Sequence, residues 1–259
     1  MYDGKRLKDK LFAGEPCIGT WIDFRDPTVA ELLAGSGFDF FIIDSEHSPQ
    51  DIETIQMNIM ACKGTTVTPM VRVAWNDAVM IKRVLDVGAA GVLVPMIRTA
   101  QDAKAAVAAC MYPPKGIRGF GPRRPSNYER DAAEYIRTAN DNIAVWVQIE
   151  HIDAIKNLGE IAAVDGLSGM FIGANDLSGS MGILGQSGHP DVQAAIARVL
   201  AVGKAAGLPV GIGGPAKPEV AKSWFDRGMS FVTMGSDQSI LVAYCDAAVK
   251  DLRQLLRRS

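Results

Sequence analysis

Two apolar runs in the chain close on carboxylates: IAVWVQIE (143–150) ends in Glu150, and GMFIGAND (169–176) ends in Asp176. If these runs are neighbouring strands, their spacing of about 4.8 Å lets both acids share one ion. A hard divalent cation suits such a pair, because Mg²⁺ commonly takes one or two protein carboxylates and leaves its other positions to water and substrate. The competing possibility is that these acids solvate a rim or pair with arginines. A third run, FDFFIID (38–44), is followed by Ser45, Glu46 and His47. A histidine close to carboxylates can be oriented and tuned as a general base. Asp44 either holds the imidazole tautomer or caps the loop. Arg72 interrupts the apolar run TPMVRV (68–73), and a buried cation is costly unless an anion pairs with it. Its partner is an internal acid or a substrate oxyanion. Together these groups could polarise a carbonyl, hold developing negative charge and move a proton.

Other chemistries are less well supplied. Lys63, Lys82, Lys104, Lys156, Lys204, Lys222 and Lys250 fall on expected helices or their ends, and no strand ends in lysine. A Schiff-base mechanism needs a desolvated amine in the site, so stabilising a carbanion here falls to a metal. Neither Gly-x-Gly-x-x-Gly nor Gly-x-x-x-x-Gly-Lys-Ser/Thr opens a helix. The runs GIGG (211–214) and MGSD (234–237) could form a phosphate cradle, which keeps a phosphosugar-binding barrel isomerase as an alternative.

These residues need a scaffold that brings strand ends together. Eight short apolar runs recur, the remaining five being CIGTWID, GVLVPM, PVGIGG, FVTMGSD and the TPMVRV segment already named. Segments with helical spacing and capping residues lie between them, such as DPTVAELLAGSG, where Asp26 caps, Pro27 opens the first turn and Gly37 closes the end. Continuous Val/Ile/Phe runs indicate strands buried on both faces, as in a parallel sheet covered by helices. Eight βα units in a chain of 259 residues fit a single-domain (β/α)8 TIM barrel spanning 1–259, whose active site is built at the carboxyl ends of the strands. Segment 113–131, rich in Gly, Pro and Arg, is long enough to be a functional loop, and the glycines of 178–191 suit a lid or a mouth-lining turn.

With 27 Lys+Arg against 29 Asp+Glu the formal charge is −2, and no polybasic block supports binding to nucleic acid or an anionic membrane. No apolar stretch approaches the roughly 18 residues of a membrane helix, and the start lacks a signal-peptide pattern, so the cytoplasm is the expected location. Cys17, Cys62, Cys110 and Cys245 lie far apart without a nearby histidine set and are expected as reduced thiols in or near the core.

The chain resembles the HpcH/HpaI aldolase family of metal-dependent, class II pyruvate aldolases. The resemblance rests on IIDSEHSPQD (42–51), VRVAWND (71–77), LDVGAAGVLVPMI (85–97), PPKGIRGFGP (113–122), VQIEHIDAIKNL (147–158) and FIGANDLSGSMG (171–182). It implies that Glu150 and Asp176 hold Mg²⁺, Mn²⁺, Co²⁺ or a similar divalent ion, while His47 with Asp44 supplies the acid/base function. It further implies that Arg72 faces the keto oxygen, that the amides of Gly173 and Ala174 receive the substrate carboxylate, and that Gln148 borders the pocket. Asp86 resembles an acid near the mouth of a neighbouring subunit's site. The substrates implied are a small 4-hydroxy-2-oxo acid, giving a 2-oxo acid and an aldehyde. The implied assembly is a homo-oligomer, a hexamer built as a trimer of dimers, with the C-terminal helix packed on a neighbour. A CoA-thioester lyase of the citrate lyase beta or malyl-CoA type is the related alternative. Asn175 and His151 depart from the family's usual residues beside the two metal-holding acids.

Overall fold

The structure is a computed structural model and describes residues 4–257. Its strands are β1 (Cys17–Ile22), β2 (Phe40–Asp44), β3 (Thr68–Arg72), β4 (Gly91–Val94), β5 (Ala144–Ile149), β6 (Gly169–Ile172), β7 (Val210–Gly214) and β8 (Phe231–Ser236). They pair in parallel in sequence order and close through β1 and β8 into a barrel. The helices are α1 (Gly4–Phe12), α2 (Pro27–Ala34), α3 (Ile52–Ala61), α4 (Ala78–Asp86), α5 (Ala100–Cys110) and α6 (Ala132–Thr138). They continue with α7 (Ile152–Lys156), α8 (Leu158–Ala162), α9 (Ala174–Ser180), α10 (Pro190–Ala206), α11 (Pro218–Asp226) and α12 (Asp237–Leu256). The (β/α)8 barrel expected from the sequence is the fold observed.

Local chemistry sets where helices begin after strands. Asp26 accepts from the Thr28 N–H ahead of α2, and Asp51 and Thr54 form a reciprocal capping box at α3. The Asp77 side chain accepts from the N–H groups of Val79 and Met80 at α4. Each carboxylate satisfies helix donors that have no intrahelical partner. Loop 113–131 contains no helix or strand, whereas the segment expected as a loop from 178 begins inside the last turn of α9.

Because side chains alternate along a strand, residues two apart share a face. Phe40, Ile42 and Asp44 therefore climb one line on β2, Met70 and Arg72 one line on β3, and Trp146 and Gln148 one line on β5. The lower part of this interior is a separate apolar cluster of Phe40, Ile42, Met70, Leu93, Trp146, Phe171 and Phe231. Trp146 stacks on Phe231 at 4.0 Å between ring centroids and meets Phe40 edge-on at 5.1 Å. Glycines on the neighbouring strands make room for these rings: a Cβ at Gly19 would lie 2.3 Å from the Phe40 ring, and one at Gly211 would lie 2.2 Å from Phe231.

Helix α1 joins this cluster through Leu7 and Leu11, both buried, and packs on β1 and β5. The sequence reading did not anticipate it, since its two apolar anchors stand in a lysine-rich stretch. A second and larger cluster lies between barrel and helices. Cys17, Cys62 and Cys110 are buried as expected, but Cys245 is exposed, because it sits on α12, whose only buried residue is Asp237. Among the described residues no helix is long and apolar enough to cross a membrane.

Candidate active site

The carboxyl ends of the strands converge on one rim, where polar groups continue the same inward lines. Register pairs Asp44 of β2 with Arg72 of β3. The Arg72 Nε donates to Asp44 Oδ1 at 2.8 Å, and Nη2 donates to Oδ2 at 2.7 Å. This bidentate fork fixes the plane of the guanidinium. Trp21 of β1 lies beneath it, with the guanidinium carbon 4.4 Å from the ring centroid, and the indole N–H is itself held by Thr233 Oγ1 at 2.9 Å. The remaining nitrogen, Nη1, is 3.2 Å from Glu46 Oε2.

Asp44 thus serves the arginine and the loop, not the imidazole. Its Oδ1 also accepts from the Glu46 N–H at 3.0 Å and weakly from the His47 N–H at 3.4 Å. The His47 ring is largely exposed and stands at the rim with Nε2 3.7 Å from Glu46 Oε2. Glu46, to which the sequence reading gave no role, is the most perturbed acid of the group. Burial pushes its carboxyl up to about 7, helped by the nearby charge of Glu150 and opposed by Arg72 and His47. Nothing in the residue order DSEH signals that Glu46 turns inward while His47 turns out.

Glu150 follows β5 and is buried. Its Oε1 accepts from the Met96 N–H at 2.6 Å, and Met96 adopts φ 57°, a left-handed conformation that costs a residue with a side chain about 1–3 kcal/mol. Its Oε2 accepts from the Gln148 amide. Gln148 Oε1 is left as a buried acceptor with no hydrogen-bond partner. Gly173 closes over this pair: a Cβ there would stand 2.8 Å from Glu150 Cβ and 2.9 Å from its Oε2.

Asp176 lies in the first turn of α9, a turn beyond the strand end where the sequence reading set it, and is exposed. It acts on Glu150 electrostatically: burial first, then the Asp176 charge, raises the Glu150 carboxyl against the pull of the Met96 N–H. One further expectation is placed differently by the structure. The Gly173 N–H donates to the Ile149 carbonyl at 3.1 Å, so it is spent within the barrel and is not free for a substrate carboxylate. The first-turn amides of α9 beyond it, starting with Ala174, are the donors a helix leaves open. Asp86 ends α4 and pairs with Arg118 at 2.7 Å, away from the rim cluster of its own chain.

The rim is short of positive charge. Asp23, raised by burial and by Asp237 and Asp44, joins Asp44, Glu46, Glu150 and Asp176 around one buried arginine. Among the described residues no three His, Cys, Asp or Glu side chains gather as a metal site. A two-carboxylate site does not need three, and the acid excess together with the orphaned Gln148 oxygen fits a hard divalent cation. At the MGSD end of the alternative phosphate cradle, Asp237 accepts from the N–H groups of Asp23, Phe24 and Gln238, while Ser236 and Ser239 cap α12.

A closed parallel barrel with acids and a clamped arginine at its strand ends defines an enzyme of the (β/α)8 class. The family model HpcH/HpaI aldolase/citrate lyase matches residues 17–243. A 4-hydroxy-2-oxo-heptane-1,7-dioate aldolase of Salmonella typhimurium is 45% identical over 243 residues, covering 93% of this chain and 92% of that protein. Among solved structures, an HpcH/HpaI aldolase/citrate lyase family protein from Burkholderia cenocepacia superposes with a TM-score of 0.92 at 35% identity, covering 96% of this chain and 99% of that one. An HpcH/HpaI aldolase from Desulfitobacterium hafniense gives 0.90 at 30% identity, covering 95% and 96%. The chain belongs to the HpcH/HpaI aldolase/citrate lyase family, and it is an enzyme that makes and breaks carbon–carbon bonds as an aldolase.

Proposed function

We infer that the reaction is the reversible cleavage of a 4-hydroxy-2-oxo acid into pyruvate, or a close 2-oxo acid, and an aldehyde. The observation that carries this reading is the Arg72 guanidinium, locked by Asp44 and Trp21 at the edge of an acid-rich rim. Breaking the C3–C4 bond leaves negative charge on the pyruvate unit. A divalent cation such as Mg²⁺, Mn²⁺ or Co²⁺, held by Glu150 and Asp176, supplies Lewis-acid stabilisation of that charge. Gln148 and the Met96 N–H hold the Glu150 carboxylate in place. Arg72 donates to the keto oxygen, in a preorganised geometry that needs no reorientation as charge builds up. The first-turn amides of α9 at and after Ala174 take the substrate carboxylate. His47, open to solvent at the rim, takes the proton of the 4-hydroxyl, a step worth about 10²–10⁴ in rate.

The assembly belongs to the same proposal. Helix α12 exposes Leu241, Val242, Tyr244, Val249, Leu252 and Leu255 and touches its own barrel mainly through β8 and β1. In a homo-hexamer this stripe covers a neighbouring subunit, and Asp86 approaches that neighbour's site.

The test is a screen of 4-hydroxy-2-oxo acids with varied tails, measuring pyruvate release before EDTA, after EDTA and after metal is restored. Activity is expected to vanish with chelation and return with the ion. Full activity without metal, or an imine trapped by borohydride, overturns the reading.

A further inference from the structure

Glu46 is an acid of the rim that none of these steps uses. Its side chain is 15% exposed, and Oε2 is buried with no hydrogen-bond partner. The groups facing that oxygen are Arg72 of β3 at 3.2 Å and His47 of its own loop at 3.7 Å, with Asp44 of β2 and Glu150 after β5 acting on it through charge. A carboxylate oxygen withdrawn from water without a donor is costly, and here burial with two like charges overcomes the pull of Arg72 and His47. The result is a carboxyl that gains and loses a proton near neutrality, where acid–base exchange is most effective.

The reaction has a proton to place at this point. Cleavage leaves an enolate, and C3 must gain a proton before pyruvate can leave. C3 is two bonds from the keto oxygen that Arg72 holds, and Glu46 lies against the same guanidinium. We propose that Glu46 is the acid–base residue for C3 of the 2-oxo acid, reloaded from solvent through His47. The Glu46 O–H proton passes to C3 as the enolate π pair becomes the new C3–H bond and the C2=O bond re-forms, and the O–H pair stays on Glu46 as its carboxylate. In the condensing direction the same carboxylate removes a C3 proton. This proposal rests on the aldolase reading above.

The experiment uses the full chain with Mg²⁺ and pyruvate in D₂O, without aldehyde, and follows exchange of the C3 protons by NMR. Glu46→Gln is expected to slow exchange by about 10²–10⁴-fold while oxalate, a planar mimic of the enolate, binds within a few-fold of the parent. Carboxyl NMR of the metal-free protein is expected to show Glu46 titrating near 7, with that signal lost in the variant. Exchange at the parent rate in Glu46→Gln, oxalate binding lost in step with exchange, or a Glu46 titration in the ordinary carboxylate range each overturn the assignment to Glu46 alone. A parent enzyme that neither exchanges C3 protons nor releases pyruvate from any 4-hydroxy-2-oxo acid removes the reaction itself.

Discussion

The lower and upper halves of the barrel interior use the same strands and the same inward alternation, but they solve opposite problems. Below, Phe40, Trp146 and Phe231 interlock with glycines and with Leu7 and Leu11 of α1 in an apolar cluster whose one unpartnered buried side-chain polar atom, among the described residues, is the Trp146 indole nitrogen. Above, two or four residues further along the same lines, Asp44, Arg72, Gln148 and Glu150 are also buried but polar. The lower layer gains stability from apolar area and dispersion. The upper layer carries desolvation cost, offset internally by the Asp44–Arg72 fork and left partly unmet at Glu46 and Gln148. Stability and chemistry are thus stacked along one axis, and substitutions in the two layers should fail in different ways.

The largest effect is expected at the upper layer. Arg72→Ala removes the donor to the keto oxygen, and loss of one such preorganised donor lowers turnover by about 10²–10³-fold. It also strands the buried Asp44 charge, and breaking a buried pair from one side costs about 3–5 kcal/mol. The paired change Arg72→Met with Asp44→Leu should recover Tm while activity stays lost. If the pair recovers activity as well, the arginine is structural and the comparison between layers fails.

Trp146→Ala is the counterpart below. A large aromatic removed from a packed core costs about 3–5 kcal/mol, so denaturant midpoints should fall steeply while kcat per folded molecule changes little. A kcat loss matching that of Arg72→Ala would show the layers to be coupled.

Much of this division was legible in the residue order. The eight apolar runs and their capping residues gave the barrel, since period and caps are local signals, and strand-end acids followed from the fold. What remained hidden depends on register and burial. The Asp44–Arg72 fork exists because β2 and β3 align those two residues, and 27 intervening positions carry no sign of that register. Glu46 and His47 are adjacent and similar in polarity, but one turns into the site and the other to solvent. Helix α1 was missed because two leucines among lysines form a weak stripe until the barrel floor supplies their partners. Asp176 slipped into α9 because a helix can begin directly after β6 at Gly173.

Gly173→Ala sharpens the boundary of the upper layer. The new methyl would collide with Glu150 and the Gln148 amide, so the carboxylate must move. Disturbing groups that orient a metal-holding residue weakens affinity by about 10–100-fold. Calorimetric titration with Mg²⁺ should show that loss with Tm nearly unchanged, whereas unaltered affinity would separate Glu150 from the ion.

The smallest effect is expected outside both layers, at the histidines the chemistry does not use. His189 caps α10 by accepting the Asp191 N–H on Nδ1 at 3.2 Å, and His151 caps α7 in the same way through Asp153 at 3.1 Å. His-x-Asp is therefore a capping device repeated in this chain. Loss of a cap costs about 0.5–2 kcal/mol, so His189→Ala should lower Tm slightly and leave kcat and KM as they were. His151→Ala removes a comparable cap but also loosens the turn that follows Glu150, so it should add a small rise in the Mg²⁺ concentration needed for activity. An equal response of the two variants to Mg²⁺ would mean that the residue beside Glu150 serves the helix alone.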